Sequence, residues 1–184
     1  MSGVDEAGRG SWAGPVVSAA VILKNYFNIN NLKDSKILSA KKRIEIFEQL
    51  KISSIIGVGF SSIEEIEKYN ILQATFLSMK RAINSLKEIP DLLLIDGNIV
   101  PPNIKIKSQP IIKGDKLIPE ISAASIVAKV VRDAHMEILD SKYPGYNLKN
   151  NAGYGVRSHL HALKNLGVSP IHRRTFKPIH NMLC

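Results

Sequence analysis

The chain has 184 residues, 45% of them hydrophobic, with 25 Lys and Arg against 16 Asp and Glu for a net charge of +9. That length and apolar share suit one folded domain with a sizeable core and exclude a disordered chain, and the apolar runs at 19–23 and 92–95 are far too short to cross a membrane. The lone cysteine, Cys184, excludes an internal disulfide framework and a cysteine-based zinc site, while the basic excess favours a polyanionic partner.

The first strand is expected within Gly3-Val4-Asp5-Glu6-Ala7-Gly8-Arg9-Gly10. The apolar run from Val16 to Leu23 reads as a second strand, joined antiparallel through a glycine-rich turn. Ser39 predicts a helix cap, with the helix running to 51 and Ile44, Phe47 and Leu50 facing inward. Residues 55–60 read as a third strand. Ser62 with Glu65 three residues on resembles a capping box and opens a helical region to about 87. Leu92-Leu93-Leu94-Ile95 reads as a buried strand ending at Asp96-Gly97, with one more strand expected at 104–107. The clearest helix spans 120–139. Ala123, Ile126, Val127, Val130, Val131, Ala134 and Ile138 form its apolar stripe, flanked by Ser122, Ser125, Lys129 and Asp133. A last helix at 157–166 stops at Gly167. Strands early and helices late predict an α/β fold, with a mixed central sheet and helices packed against it.

The chemistry concentrates in acids at strand ends and loops. Asp5 and Glu6 stand side by side, where burial is costly and mutual repulsion calls for a cation between them. Gly8-Arg9-Gly10 permits close backbone approach beside a guanidinium. Asp96 precedes a glycine at a strand end, and Asp115 follows one in Lys113-Gly114-Asp115; read alone, the first suits a turn and the second a solvated loop. Jointly the four carboxylates suit Mg²⁺ or Mn²⁺. Asp133 competes for the fourth place, against its reading as an ion-paired helix acid. The histidines show no zinc spacing, and neither a phosphate-cradling glycine loop nor a nucleophile elbow is present.

Taken in order, Gly3 to Gly10, Asp34-Ser35-Lys36, Ile95-Asp96-Gly97, Lys113-Gly114-Asp115, the run from Ala123 to Val130, Gly153-Tyr154-Gly155 and His172-Arg173-Arg174-Thr175-Phe176 resemble bacterial type 2 ribonuclease H, the ribonuclease HII family. These motifs span nearly the whole chain. The resemblance implies a ribonuclease H-like fold with a five-stranded mixed sheet and a helical C-terminal part from about 140 to 184. It implies endonucleolytic cleavage of RNA paired to DNA, and of ribonucleotides embedded in duplex DNA, on their 5′ side. It makes Asp5, Glu6, Asp96 and Asp115 ligands of Mg²⁺ or Mn²⁺, two ions with substrate bound. Gly8, Arg9 and Gly10 would sense the 2′-hydroxyl, and Tyr154 would stack on the next deoxyribose. Lys36, Ser125, Lys129 and Arg173 are candidate substrate contacts, together with Lys113 and Arg174; for these charged side chains a merely solubilising role competes. Ala152, Val156 and Ile37 depart from the family pattern, and the chain begins almost on its first catalytic strand. Such a site leaves a 5′-phosphate and a 3′-hydroxyl by in-line attack of water. A cytoplasmic monomer is expected. Two other classes compete, a non-catalytic nucleic-acid-binding module and a phosphatase with a carboxylate nucleophile.

Overall fold

Five strands make one mixed sheet in a computed structural model that describes residues 1–24, 28–32 and 38–184. The Asp34-Ser35-Lys36 motif and Ile37 lie outside the described residues, and so does the proposed Lys36 contact. β1 (Ser2–Ala7), β2 (Val16–Leu23) and β3 (Ser54–Ser61) run antiparallel in succession. β4 (Leu93–Asp96) then pairs parallel with the other side of β1, and β5 (Ser108–Ile111) parallel with β4, giving the order β3-β2-β1-β4-β5. β1 is therefore central, with its two acids at its C-terminal end.

Helices cover both faces. α1 (Ala40–Ser53) and α4 (Pro119–Lys142) share a core with Ala19 and Val21. α2 (Ile63–Asn84) packs Phe76, Met79, Ala82 and Ile83 against Val4, Ala20, Leu93 and Ile95 on the opposite face. The Ser39 cap accepts from the Lys42 N–H, and the capping box of Ser62 and Glu65 closes in both directions. A short α3 (Gly114–Leu117) leads into α4. The C-terminal part adds α5 (Leu148–Asn151), α6 (Arg157–Leu166) and α7 (Lys177–His180) around Met136, Leu148, Leu163 and Ile179.

Four expectations need correction. The strand expected at 104–107 lies at Ser108–Ile111; Ile104 and Ile106 alternate because they pack on the α2 cluster, and the ladder to β4 begins at Ser108. On α1 the buried face carries Ile46 and Leu50, whereas Ile44 is half exposed. α2 stops at Asn84 and breaks at Asn70, where a φ of 67° interrupts the helix and the Asn70 side chain caps the restart by accepting from the Leu72 and Gln73 N–H groups. The stripe of α4 holds through Val131, but Ala134 and Ile138 are exposed. There the helix leaves the sheet, and Arg132 and Met136 turn toward the C-terminal part instead.

Candidate active site

Parallel pairing brings two of the predicted acids together. Val4 lies beside Ile95, so the next step along each strand sets Asp5 beside Asp96. Val4 and Ile95 face α2, and alternation turns Asp5 and Asp96 to the α4 face. Asp115, at the start of α3, donates its backbone N–H to Asp96 Oδ1 at 3.3 Å. Glu6, at the rim, pairs with the exposed Arg9 at 3.2 Å. The shared face and this one hydrogen bond join residues 110 positions apart in sequence.

Electrostatics mark the same spot. Asp5 is 5% exposed, and burial foremost, then the Glu6 and Asp96 charges, push its carboxyl well above the usual range. Burial also pushes Glu6 up, against Arg9, which favours its ionised form. Among the described residues no cation pairs with Asp5; its oxygen accepts from the Glu6 N–H at 2.7 Å. As placed, no three acidic, histidine or cysteine side chains among the described residues enclose an ion. In donor chemistry the set still fits a hard divalent cation, because every donor is a carboxylate oxygen and Asp5, unlike Glu6, has no cation partner among the described residues.

Beside the acids lies a cleft of about 340 Å³ lined by Glu6, Gly8, Arg9, Gly10, Arg43, Ser125, Lys129 and Tyr154. Four segments thus converge on one wall of the site. Gly8 has a φ of 95°, and a Cβ there would fall 2.0 Å from Arg132 Nε, so glycine is required on both counts. Tyr154 is partly exposed, with Lys129 Nζ 5.9 Å and Arg132 Cζ 5.7 Å from its ring centroid. Lys129 Nζ also donates to Asp133 Oδ1 at 2.7 Å, which places Asp133 as the ion-paired helix acid.

Arg173 is the clear departure among the predicted contacts. It is fully buried, donating through Nε to the Gly14 carbonyl at 3.0 Å and through Nη1 to the Arg9 carbonyl at 2.9 Å. Burial first, then the nearby Arg132 charge, push it down to about 9. It braces the loop of residues 8–15 from behind, because that loop's carbonyls need donors that no strand supplies.

Two residues escaped sequence reasoning. Arg132 donates to the carbonyls of Pro15, Ala152 and Ala13, tying the glycine-rich loop to the Tyr154 loop. Its signal was present: Ala124, Ala128, Arg132 and Met136 recur every four residues, putting a cation in line with an apolar stripe. Arg43, one turn into α1, lines the cleft and donates to the Leu38 carbonyl at 2.6 Å; nothing in its local sequence distinguishes it.

The mixed five-stranded sheet with flanking helices defines the ribonuclease H-like class. The ribonuclease HII family profile matches residues 2–179. The chain is 50% identical over 183 residues to ribonuclease HII of Roseobacter denitrificans, covering 100% of this chain and 92% of that protein. It is also 50% identical to that of Pelagibacter ubique, covering 100% and 98%. The crystal structure of ribonuclease H2 from Pyrococcus horikoshii superposes with a TM-score of 0.81 at 28% identity, covering 98% of this chain and 95% of that one. The chain belongs to the ribonuclease HII family, as an endonuclease acting on the RNA strand of RNA–DNA hybrids. The binding-module and phosphatase readings fall with that membership. Among the described residues no helix is long and apolar enough to cross a membrane.

Proposed function

We propose that this chain also nicks duplex DNA at single embedded ribonucleotides, on their 5′ side. Asp5, Glu6, Asp96 and Asp115 would hold the divalent ions. The observation that carries this reading is the convergence of Asp5 and Asp96 next to a cleft walled by Gly8-Arg9-Gly10 and Tyr154. Bound Mg²⁺ or Mn²⁺, two ions with substrate, supplies Lewis acidity at the scissile phosphate and at the leaving 3′-oxygen.

The chain's own groups select and hold the substrate. The backbone of residues 8–10, kept in shape by Arg132 and Arg173, faces the 2′-hydroxyl, the group that separates RNA from DNA. Tyr154 stacks on the deoxyribose that follows the ribonucleotide. Ser125, Lys129 and Arg43 face the strand's phosphates across the cleft. Arg173 acts only through the loop that it braces. One chain provides every one of these groups, which supports a monomer. The interlock of Trp12 with Gly153 and of Arg173 with Trp12 supports a single domain.

The test is a gel assay on a 5′-labelled DNA duplex with one ribonucleotide. A nick immediately 5′ of the ribonucleotide, with a 3′-hydroxyl and a 5′-phosphate, is expected with Mg²⁺ or Mn²⁺ and not with chelator. Activity on continuous hybrids with no cut at the lone ribonucleotide contradicts the proposal.

A further inference from the structure

Behind Tyr154 runs a chain of hydrogen bonds that no step of cleavage uses. The Ser169 N–H donates to His172 Nδ1 at 3.1 Å. The Nε2 atoms of His172 and His159 meet at 3.1 Å, and His159 Nδ1 lies 3.0 Å from the Tyr154 carbonyl oxygen. One proton arrangement satisfies all three contacts. His172 accepts at Nδ1, so its proton sits on Nε2 and is donated to His159. His159 accepts there, which leaves its own proton on Nδ1 for Tyr154.

Both rings are fully buried. Trp12 packs on His159 at 5.8 Å, and Tyr146 meets His172 edge-on at 4.8 Å. We infer that His159, oriented by His172, is a positioning residue for Tyr154: the pair anchors the Gly-Tyr-Gly loop by its carbonyl and thereby places the ring that meets the substrate. The inference rests on the reading of Tyr154 as a substrate contact. A lone histidine could flip its ring or change tautomer, and the second histidine removes that freedom.

The surroundings make the arrangement sensitive to acid. The groups around the pair are Ser169 before His172, Trp12 from the glycine-rich loop, Tyr146 ahead of α5, and the Arg132 and Arg173 guanidiniums that brace the same loops. Among the described residues no carboxylate touches either ring. Burial, then the neighbouring His159, push His172 down to about 4, and burial pushes His159 down as well. A proton added at His159 Nε2 would set N–H against the His172 N–H. One added at His172 Nδ1 would face the Ser169 N–H but also find the Ser169 hydroxyl at 3.0 Å and its carbonyl oxygen at 3.3 Å.

The test uses the full chain on two substrates, duplex DNA with one ribonucleotide and a continuous RNA–DNA hybrid. His172→Phe keeps a ring without a donor, while His172→Gln offers an amide N–H in its place. His172→Phe is expected to lower kcat at the lone ribonucleotide by at least about tenfold, more than on the hybrid, with His172→Gln recovering most of the loss. Adding His172→Phe to Tyr154→Ala is expected to cost nothing further. If Tyr154→Ala is impaired while folded His172→Phe cuts normally, the positioning role is overturned. If Tyr154→Ala itself cuts normally, the reading of Tyr154 falls, and the role of the pair falls with it. Should His172→Phe not fold, imidazole ¹⁵N shifts of the wild-type protein at pH 7 decide. They are expected to show Nε2–H for His172 and Nδ1–H for His159; matching tautomers, or a doubly protonated ring, overturn the inference.

Discussion

Asp5 shows most directly how one residue can be placed against the interest of the fold. Its carboxyl is buried beside Glu6 and Asp96, and all three effects favour the protonated form. A folded-state pKa above the unfolded one means that the ionised carboxylate opposes folding at neutral pH; the penalty begins to shrink as pH falls through the raised value and is gone only below the ordinary value of 3.8. Asp5→Asn is therefore expected to raise the melting temperature of the metal-free protein at pH 7, by about 2–4 °C for each 1 kcal/mol relieved. Calorimetry with chelator present checks this, and a lower melting temperature contradicts it. Mg²⁺ or Mn²⁺ is expected to stabilise the wild type more than the variant, since ligand binding to the native state adds to stability. The histidine pair runs the other way. With His172 at about 4, it contributes stability above pH 6.5 that is lost as pH falls toward 4.

At the scale of elements, the contact of α4 with β1 sets the site. A Cβ on Gly3 would lie 2.1 Å from the Glu120 carbonyl carbon, so strand and helix start meet backbone to backbone. Neither side of that contact can give way by a rotamer change. Gly3→Ala is expected to destabilise the protein by about 3 kcal/mol, at the upper end for overpacking, and to depress cleavage by moving α3 and Asp115 away from β1. Urea unfolding measures the first effect; a loss under about 1 kcal/mol contradicts the argument. The elements themselves were largely legible, because caps and apolar runs are local signals: Ser39, Ser62 and Val16 to Leu23 fell where read. What sequence missed was set by partners. β5 begins where β4 offers a ladder, and α4 turns Arg132 inward because loop carbonyls 117 to 119 residues away need donors.

For the whole molecule, the C-terminal part is what turns a sheet with acids into a cleft. Trp12 donates to the Gly153 carbonyl and accepts from the Arg173 N–H, so the glycine-rich loop is threaded through segments that follow it by more than 130 residues. The acids were legible as types, since adjacent carboxylates and acids at strand ends are costly without a purpose. Their convergence was expected from their combination and from the family resemblance alone, because the parallel pairing of β1 with β4 that produces it has no local signal. Arg173 was misjudged for a related reason, since a guanidinium on phosphate and one on buried carbonyls look alike in sequence.

The central claim is that the carboxylates which meet across β1 and β4 form the cutting centre. Asp96→Asn keeps the shape and an acceptor for the Asp115 N–H, and removes only charge. The measurement is cleavage and binding of a duplex with one ribonucleotide by this variant in Mg²⁺. Cleavage is expected to fall by more than about 10²-fold while binding stays within a few fold of wild type. Near wild-type cutting by Asp96→Asn would contradict the account.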